Sequence, residues 1–441
     1  GLSSINENND GVTVDWIGDF NGDRRGDLLV GVPAAESGAG KVAVIYGRSG
    51  DWPVPDAQEM LAAADSSFIG LSGAGIGLNA TAAGDVNGDG LADLIIGDAT
   101  NNAVYLILGQ NNYYGKDVPL TAASGVNIRR LQVPAGQQIG HNIAPAGDVN
   151  GDGYDDLLIG VTGNLNAAYL LLGQADPIWI TDDIDQNAAA IIYNAGSATL
   201  GAAGDLDGDF RDEFGIGMNS TLYLFAGSGT FAPRAGLRMY VDTYSIDSSS
   251  SADSTPAIAA LGDVDGDNKD DAIYSDGSNQ HLILGDEALS DGSWTMHSYG
   301  YGAGFLAAPG DVDNDGRNDI LIGNGTDAYL ILGADIGTTQ ATINGVAAAA
   351  SVRYAAGADL NSDGSSDLLL VPTAASAQAA ATTAEDNFDL PPTWVPNLPE
   401  ATLETFVGST TWSSEGATAY VNSDGICHNL TPCYATIQAA A

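Results

Sequence analysis

The sequence predicts an all-β fold, a seven-bladed β-propeller followed by a short C-terminal extension, and three observations predict it. A nine-residue acidic pattern recurs seven times along the 441 residues. Each copy is followed by short apolar runs bounded by Gly, Asn and Asp, too short for helices and readable as buried strands. The copies start 66, 63, 57, 58, 48 and 48 residues apart. A unit of that length with three or four strands is one propeller blade. No blade can bury both faces of its sheet alone, so neighbours must stack and a ring closes the array. A linear β-solenoid is excluded because its coils are shorter, about 20–30 residues.

The acidic pattern places oxygen donors at alternate positions. Position 1 is Asp19, Asp85, Asp148, Asp205, Asp263, Asp311 and Asp359. Position 3 is Asn21, Asn87, Asn150, Asp207, Asp265, Asp313 and Asn361. Position 5 is Asp23, Asp89, Asp152, Asp209, Asp267, Asp315 and Asp363. Position 9 is Asp27, Asp93, Asp156, Glu213, Asp271, Asp319 and Asp367. Such a loop converges its oxygens on one point, and a hard cation the size of Ca²⁺ takes six to eight of them. The expected backbone-carbonyl donor is position 7: Arg25, Leu91, Tyr154, Arg211, Lys269, Arg317 and Ser365. Side-chain identity varies there, as a backbone ligand predicts. An EF-hand would need a bidentate acid at position 12 and a following helix. Position 12 is instead Val30, Ile96, Ile159, Ile216, Tyr274, Ile322 and Leu370, each inside a strand-like run. Mg²⁺ is disfavoured because it keeps waters and needs fewer carboxylates. The expectation is up to seven Ca²⁺ ions.

The flanks of the loops recur as well. A Gly precedes the first Asp at Gly84, Gly147, Gly204, Gly262 and Gly310. The first apolar run follows at Leu28–Val30, Leu94–Ile96, Leu157–Ile159, Ile320–Ile322 and Leu368–Leu370, and the second ends in Gly at Gly47, Gly109, Gly173 and Gly333. Gly-rich segments such as Gly75-Ile-Gly-Leu and Ile139-Gly-His-Asn-Ile-Ala-Pro-Ala-Gly147 stand before the loops. Together these features resemble FG-GAP repeats, found in integrin α-subunit propellers and in bacterial surface proteins. The resemblance covers about residues 1–385. It implies seven blades, calcium in the hairpin between the first two strands of each, and adhesion or ligand binding by loops on the opposite rim. Two departures stand out. Integrins carry metal loops in only some blades, whereas all seven repeats have one here, which points to the bacterial or archaeal members. The seventh unit is Ala-rich after Val371 and lacks an outer strand, so ring closure borrows one from residues 1–10 or from beyond residue 400.

Charge narrows the partners. Lys and Arg number 13 against 57 Asp and Glu, a formal net charge of −44. Nucleic acid and anionic membrane surfaces both demand basic patches and are excluded as partners. No apolar run reaches the roughly 18 residues of a membrane span, so no direct membrane insertion is expected. Seven Ca²⁺ would bring the charge from −44 to −30, relieving repulsion while leaving an acidic surface. Cytosolic calcium is too dilute for weak sites, so the design suits the extracellular space or cell surface.

Residues 386–412, with Pro391, Pro392, Pro396 and Pro399, read as a linker. Residues 413–441 look like the opening of a right-handed parallel β-helix cut short, or else a plug or closing strand on the propeller. Cys427 and Cys433 read either as a small disulfide loop in an oxidising compartment or as two free thiols. The start at Gly1 reads as a processed or trimmed chain.

No catalytic constellation is legible. His141, His281, His297 and His428 lack zinc spacings, no Ser sits in a nucleophile elbow, and no phosphate loop precedes a helix. Arg25-Gly26-Asp27 spells an integrin-ligand tripeptide, but Asp27 is the ninth residue of a loop. The leading expectation is a non-catalytic adhesion or ligand-binding module for a protein or glycan on a cell surface or matrix. The alternatives are a self-assembling subunit of a surface layer, sheath or filament, and a polysaccharide-active lyase or hydrolase.

Overall fold

The computed structural model describes residues 13–48, 61, 64–121, 127–175, 183–218, 221–229, 231, 235–236, 243–247, 257–276, 279–285, 295–299, 306–323, 328–333, 336, 341–343, 353–358, 366–371 and 404–406. Among these residues the strands form seven sheets, and six of them carry four antiparallel strands in chain order. The second sheet is representative: Ala80–Gly84, Asp93–Asp98, Ala103–Ile107 and Ile128–Leu131, each paired with the next. Four of the second strands, Leu28–Val32, Asp93–Asp98, Glu213–Met218 and Asp271–Ser275, are buried along their whole length. That explains why they read as unbroken apolar runs: both faces are covered.

What covers them is the neighbouring sheet. The first strands are Thr13–Trp16, Ala80–Gly84, Ile143–Gly147, Thr199–Gly204, Ala257–Gly262, Leu306–Gly310 and Arg353–Ala358. Each lies beside the next, and Arg353–Ala358 lies beside Thr13–Trp16, so the series returns to its start. Apolar packing follows the same rule. One cluster joins Leu29, Val42 and Phe68 to Leu94, Ile96 and Tyr105 of the second sheet. Another joins Ile95 and Leu106 to Ile159 and Tyr169 of the third, and others bridge the third to the fourth, the fourth to the fifth and the fifth to the sixth. The core is therefore a set of wedges between sheets, an arrangement consistent with a β-propeller.

The Gly-rich segments lie where backbones of adjacent sheets meet. A Cβ on Gly97 of the second sheet would stand 2.3 Å from the carbonyl oxygen of Gly140, which leads into the third. A Cβ on Gly31 would stand 2.2 Å from the carbonyl oxygen of Gly77. The seventh sheet is completed from beyond residue 400: Glu404–Phe406 pairs antiparallel with Asp367–Val371. Three residues of the expected 386–412 linker are thus strand; the rest of that stretch, and residues 413–441 with both cysteines, lie outside the described residues.

Gly97→Ala should cost about 1–3 kcal/mol by overpacking this backbone contact. Its Tm should fall by the same amount whether or not divalent cations are present.

Candidate metal centre

Every described acidic loop connects the first strand of a sheet to the second, so the repeat occupies one structural position throughout. Residues 359–365 of the seventh loop, with Asp359, Asn361, Asp363 and Ser365, lie outside the described residues, and Asp367 opens the strand Asp367–Val371. The other six loops share one hydrogen-bond scheme, shown here by residues 85–93. The Asp85 carboxylate accepts from the backbone N–H groups of Gly88 (2.7 Å), Asp89 (3.1 Å) and Gly90 (2.8 Å). Asn87 Oδ1 accepts from Asp89 N (2.8 Å), and Asp89 Oδ1 from Leu91 N (3.0 Å). The side chains at positions 1, 3 and 5 are thereby turned inward over a tightly wound backbone. Winding needs left-handed φ at positions 4 and 6, supplied by Gly88 (+71°) and Gly90 (+83°). Where position 6 is not Gly, Arg24, Phe210 and Asn268 adopt φ near +68° themselves. Holding the bulky Phe210 there shows that the loop geometry overrides local preference.

Position 9 is the deepest of the ligand positions. Asp27, Asp93, Asp156, Glu213, Asp271 and Asp319 are between 0% and 2% exposed. Asp27 immediately precedes the second strand and the other five open it, and each takes two backbone hydrogen bonds with its two oxygens. In the second sheet Asp93 accepts from Val86 N at position 2 (3.0 Å) and from Gly109 N beyond the third strand (2.7 Å). The same pair of bonds recurs in the other five, Glu213 included, at 2.7–3.0 Å. The Gly that ends the second apolar run is thus a donor, and it must be Gly: a Cβ on Gly109 would stand 2.6 Å from the Ala92 carbonyl.

Burial without a counter-charge raises these acids. Asp93, Asp156 and Glu213 are pushed up to about 8, and Asp27, Asp271 and Asp319 to about 7, chiefly by desolvation, with repulsion from nearby loop acids adding and the backbone hydrogen bonds opposing. Asp207, Asp265 and Asp313 at position 3 are raised for the same reasons.

The geometry suits a divalent cation. Carboxylate oxygens of Asp205, Asp207 and Glu213 lie within 4.8 Å of one another, as do those of Asp263, Asp265 and Asp271, and those of Asp311, Asp313 and Asp315. Two oxygens ligating one Ca²⁺ at about 2.3–2.6 Å can be no farther apart than roughly twice that distance. Asn replaces the acid at position 3 in the first three loops, where the amide oxygen holds the same place in the scheme.

Two roles were not legible in the sequence. Position 7 side chains are not idle: Tyr154, Arg211, Lys269 and Arg317 each lie against the position-4 Gly of the preceding loop. Arg211 also pairs with Asp209 (2.6 Å) and Lys269 with Asp267 (3.0 Å) within their own loops. Position 8 links loop to loop. The backbone N–H groups of Ala92, Asp155, Asp212, Asp270, Asn318 and Ser366 donate to the position-1 carbonyls of Asp19, Asp85, Asp148, Asp205, Asp263 and Asp311, at 2.8–3.1 Å. The one available signal was an acid beside the ninth that the metal pattern does not use, at Asp155, Asp212 and Asp270.

Comparison with known proteins agrees with this geometry. Residues 85–159 match the FG-GAP-like repeat model and residues 17–45 the FG-GAP repeat model, which together span the first three loops. The chain is 29% identical over 181 residues to integrin alpha pat-2 of Caenorhabditis elegans, covering 36% of this chain and 14% of that protein. It is 27% identical over 219 residues to integrin alpha pat-2 of Caenorhabditis briggsae, covering 45% and 17%. Among solved structures, the BP39L lectin of Burkholderia pseudomallei overlays on 82% of this chain and 91% of its own at 12% identity, with a TM-score of 0.45. The chain therefore contains FG-GAP repeats and is weakly homologous to integrin α subunits over part of its length.

Proposed function

We propose that the chain is a seven-bladed, calcium-stabilised β-propeller acting outside the cell as a non-catalytic adhesion or ligand-binding module. The observation that carries the reading is the clustering of loop carboxylates in three loops, together with a ninth-position acid buried on two backbone donors in each of the six described loops. Six ionised carboxylates so placed cost several kcal/mol each without a counter-ion, at about 1.4 kcal/mol per pKa unit. A cation at each loop removes that cost, and millimolar extracellular calcium would keep even weak sites filled. Partial homology to integrin α pat-2 supports a protein or glycan ligand on a cell surface or matrix, met by the rim opposite the loops. Among the described residues no helix is long and apolar enough to cross a membrane.

Elemental analysis of the purified protein should find calcium at several ions per chain. Chelation should lower Tm steeply, because each site at a hundred times its Kd contributes roughly 2.7 kcal/mol. Calcium-free protein with a chelator-insensitive Tm overturns the metal reading. Absence of calcium-dependent binding on protein and glycan arrays, or turnover of a glycan, overturns the adhesive one.

Asp89 is exposed and touches only its own loop among the contacts described. Asp89→Ala should remove one calcium and its share of the Tm gain, while leaving the Tm in chelator close to that of the parent.

The pH dependence of the metal-free protein follows from position 9. Folded-state values near 7–8 lie above the ordinary 3.8 for Asp and 4.5 for Glu. Groups raised in this way contribute stability that is complete below the unfolded value and is lost as pH rises through the folded one. The chelated protein should therefore melt at a lower temperature at pH 8 than at pH 6. Added Ca²⁺ should raise Tm more at pH 8, where fewer protons compete. A chelated Tm that rises from pH 6 to 8 would contradict the assignment.

A further inference from the structure

The metal pattern leaves position 8 unused, yet this residue makes the most direct connection between loops. Asp155 stands between Tyr154, whose carbonyl is the expected ligand, and Asp156, the buried ninth acid of the third loop. Its backbone N–H donates to the Asp85 carbonyl (3.1 Å), and its Oδ2 accepts from the Asp85 N–H (2.7 Å). Both backbone groups of the first ligand of the second loop are thus gripped by one residue of the third. Asp212 grips Asp148 in the same way (3.0 and 2.8 Å), and Asp270 grips Asp205 (3.0 and 3.1 Å). The approach is close enough that a Cβ on Gly84 would stand 2.2 Å from the Asp155 carboxylate, which is why Gly precedes position 1 here.

We propose that these three carboxylates are positioning residues that couple neighbouring cation sites, so that filling one loop raises the affinity of the loop before it. The proposal rests on the calcium reading above. A cation in the third loop draws in the Tyr154 carbonyl and the Asp156 carboxylate and so fixes the backbone on both sides of Asp155. Asp155 then holds Asp85 in its ligating orientation before the second loop is filled, which lowers the ordering cost of that second event. Coulomb repulsion between neighbouring ions acts the other way, but salt screens it over about 8 Å at physiological ionic strength, whereas a pair of direct hydrogen bonds is not attenuated in this manner.

The test uses the full chain and Ca²⁺ titrated against a chromophoric chelator at physiological ionic strength. Asp152→Ala, at position 5 of the third loop, should remove one ion and weaken a second about fivefold or more, the usual lower range of coupling between sites. In an Asp155→Ala background the second loop is weak from the start, so adding Asp152→Ala should remove one ion with no further shift. Asp155→Asn, which keeps one side-chain acceptor oxygen for the Asp85 N–H, should behave as the parent. A merely structural Asp155 would lower Tm equally with and without calcium and leave the coupling intact. If Asp152→Ala deletes one ion and leaves all others at their parental affinity, the coupling is overturned while the metal reading stands. If the parent takes up no calcium, both fall together.

Discussion

The buried carboxylate at position 9 is the interaction on which the rest depends. It fastens three separate pieces of each unit: the start of its own loop through the position-2 N–H, the head of the second strand on which it sits, and the Gly beyond the third strand. Asp93, for instance, ties Val86 to Gly109 across the sheet. Because the Gly lies against the position-8 carbonyl and the position-7 Cβ, the same carboxylate fixes where the loop leaves the sheet. The residue after that Gly then reaches the preceding sheet: Gln110 N donates to the Phe20 carbonyl, and Gln174 N to the Val86 carbonyl. A single acid per repeat thereby sets the loop, the sheet and the contact with the preceding sheet.

Placing a charge there makes the fold conditional on its surroundings. Two neutral backbone donors satisfy the hydrogen-bonding capacity of the carboxylate in part but do not cancel its charge, and desolvation dominates. The group is content only as a neutral acid or beside a cation. An apolar residue at position 9 would avoid that cost, but it would forfeit the two backbone bonds and leave Val86 N and Gly109 N buried and unpaired. The repeat therefore exchanges unconditional stability for a network whose charge a divalent ion would balance.

Much of this was legible from the chain because the repeat is periodic and its chemistry is concentrated. Alternate oxygens in the loop and unbroken apolar runs after it identified strand, hairpin and stacked sheets without reference to any contact between sheets. The parts that were not legible are those whose meaning lies in a neighbouring repeat. Tyr154 and Arg211 look unconstrained within their own loops, yet each covers a Gly of the loop before. Asp155 looks like a spare acid until Asp85 is placed beside it. Glu404–Phe406 is too short to be located by its own pattern, although the Ala-rich run after Val371 pointed to a strand from residues 1–10 or from beyond residue 400, and the latter pairs with Leu368–Leu370.

Charge at the loops is regulated across the repeats as well. Taking positions 1, 3, 5, 7 and 9 together, the loops at 85–93, 148–156 and 359–367 carry three acids and no base, a formal −3. The loops at 205–213, 263–271 and 311–319 carry four acids, and each also carries a base at position 7, Arg211, Lys269 or Arg317, which returns the sum to −3. Only the first loop differs, at −2, because Arg25 accompanies three acids. The extra carboxylate at Asp207, Asp265 or Asp313 is thus matched by a fixed cation in a chain with only 13 basic residues. The match reaches across loops too, since Arg317 favours the ionised form of Asp265 in the loop before it. Exposed pairs of this kind add little stability by themselves. At the five alternating positions six loops therefore carry the same formal charge, and Asp155, Asp212 and Asp270 at position 8 add one further negative charge to three of them.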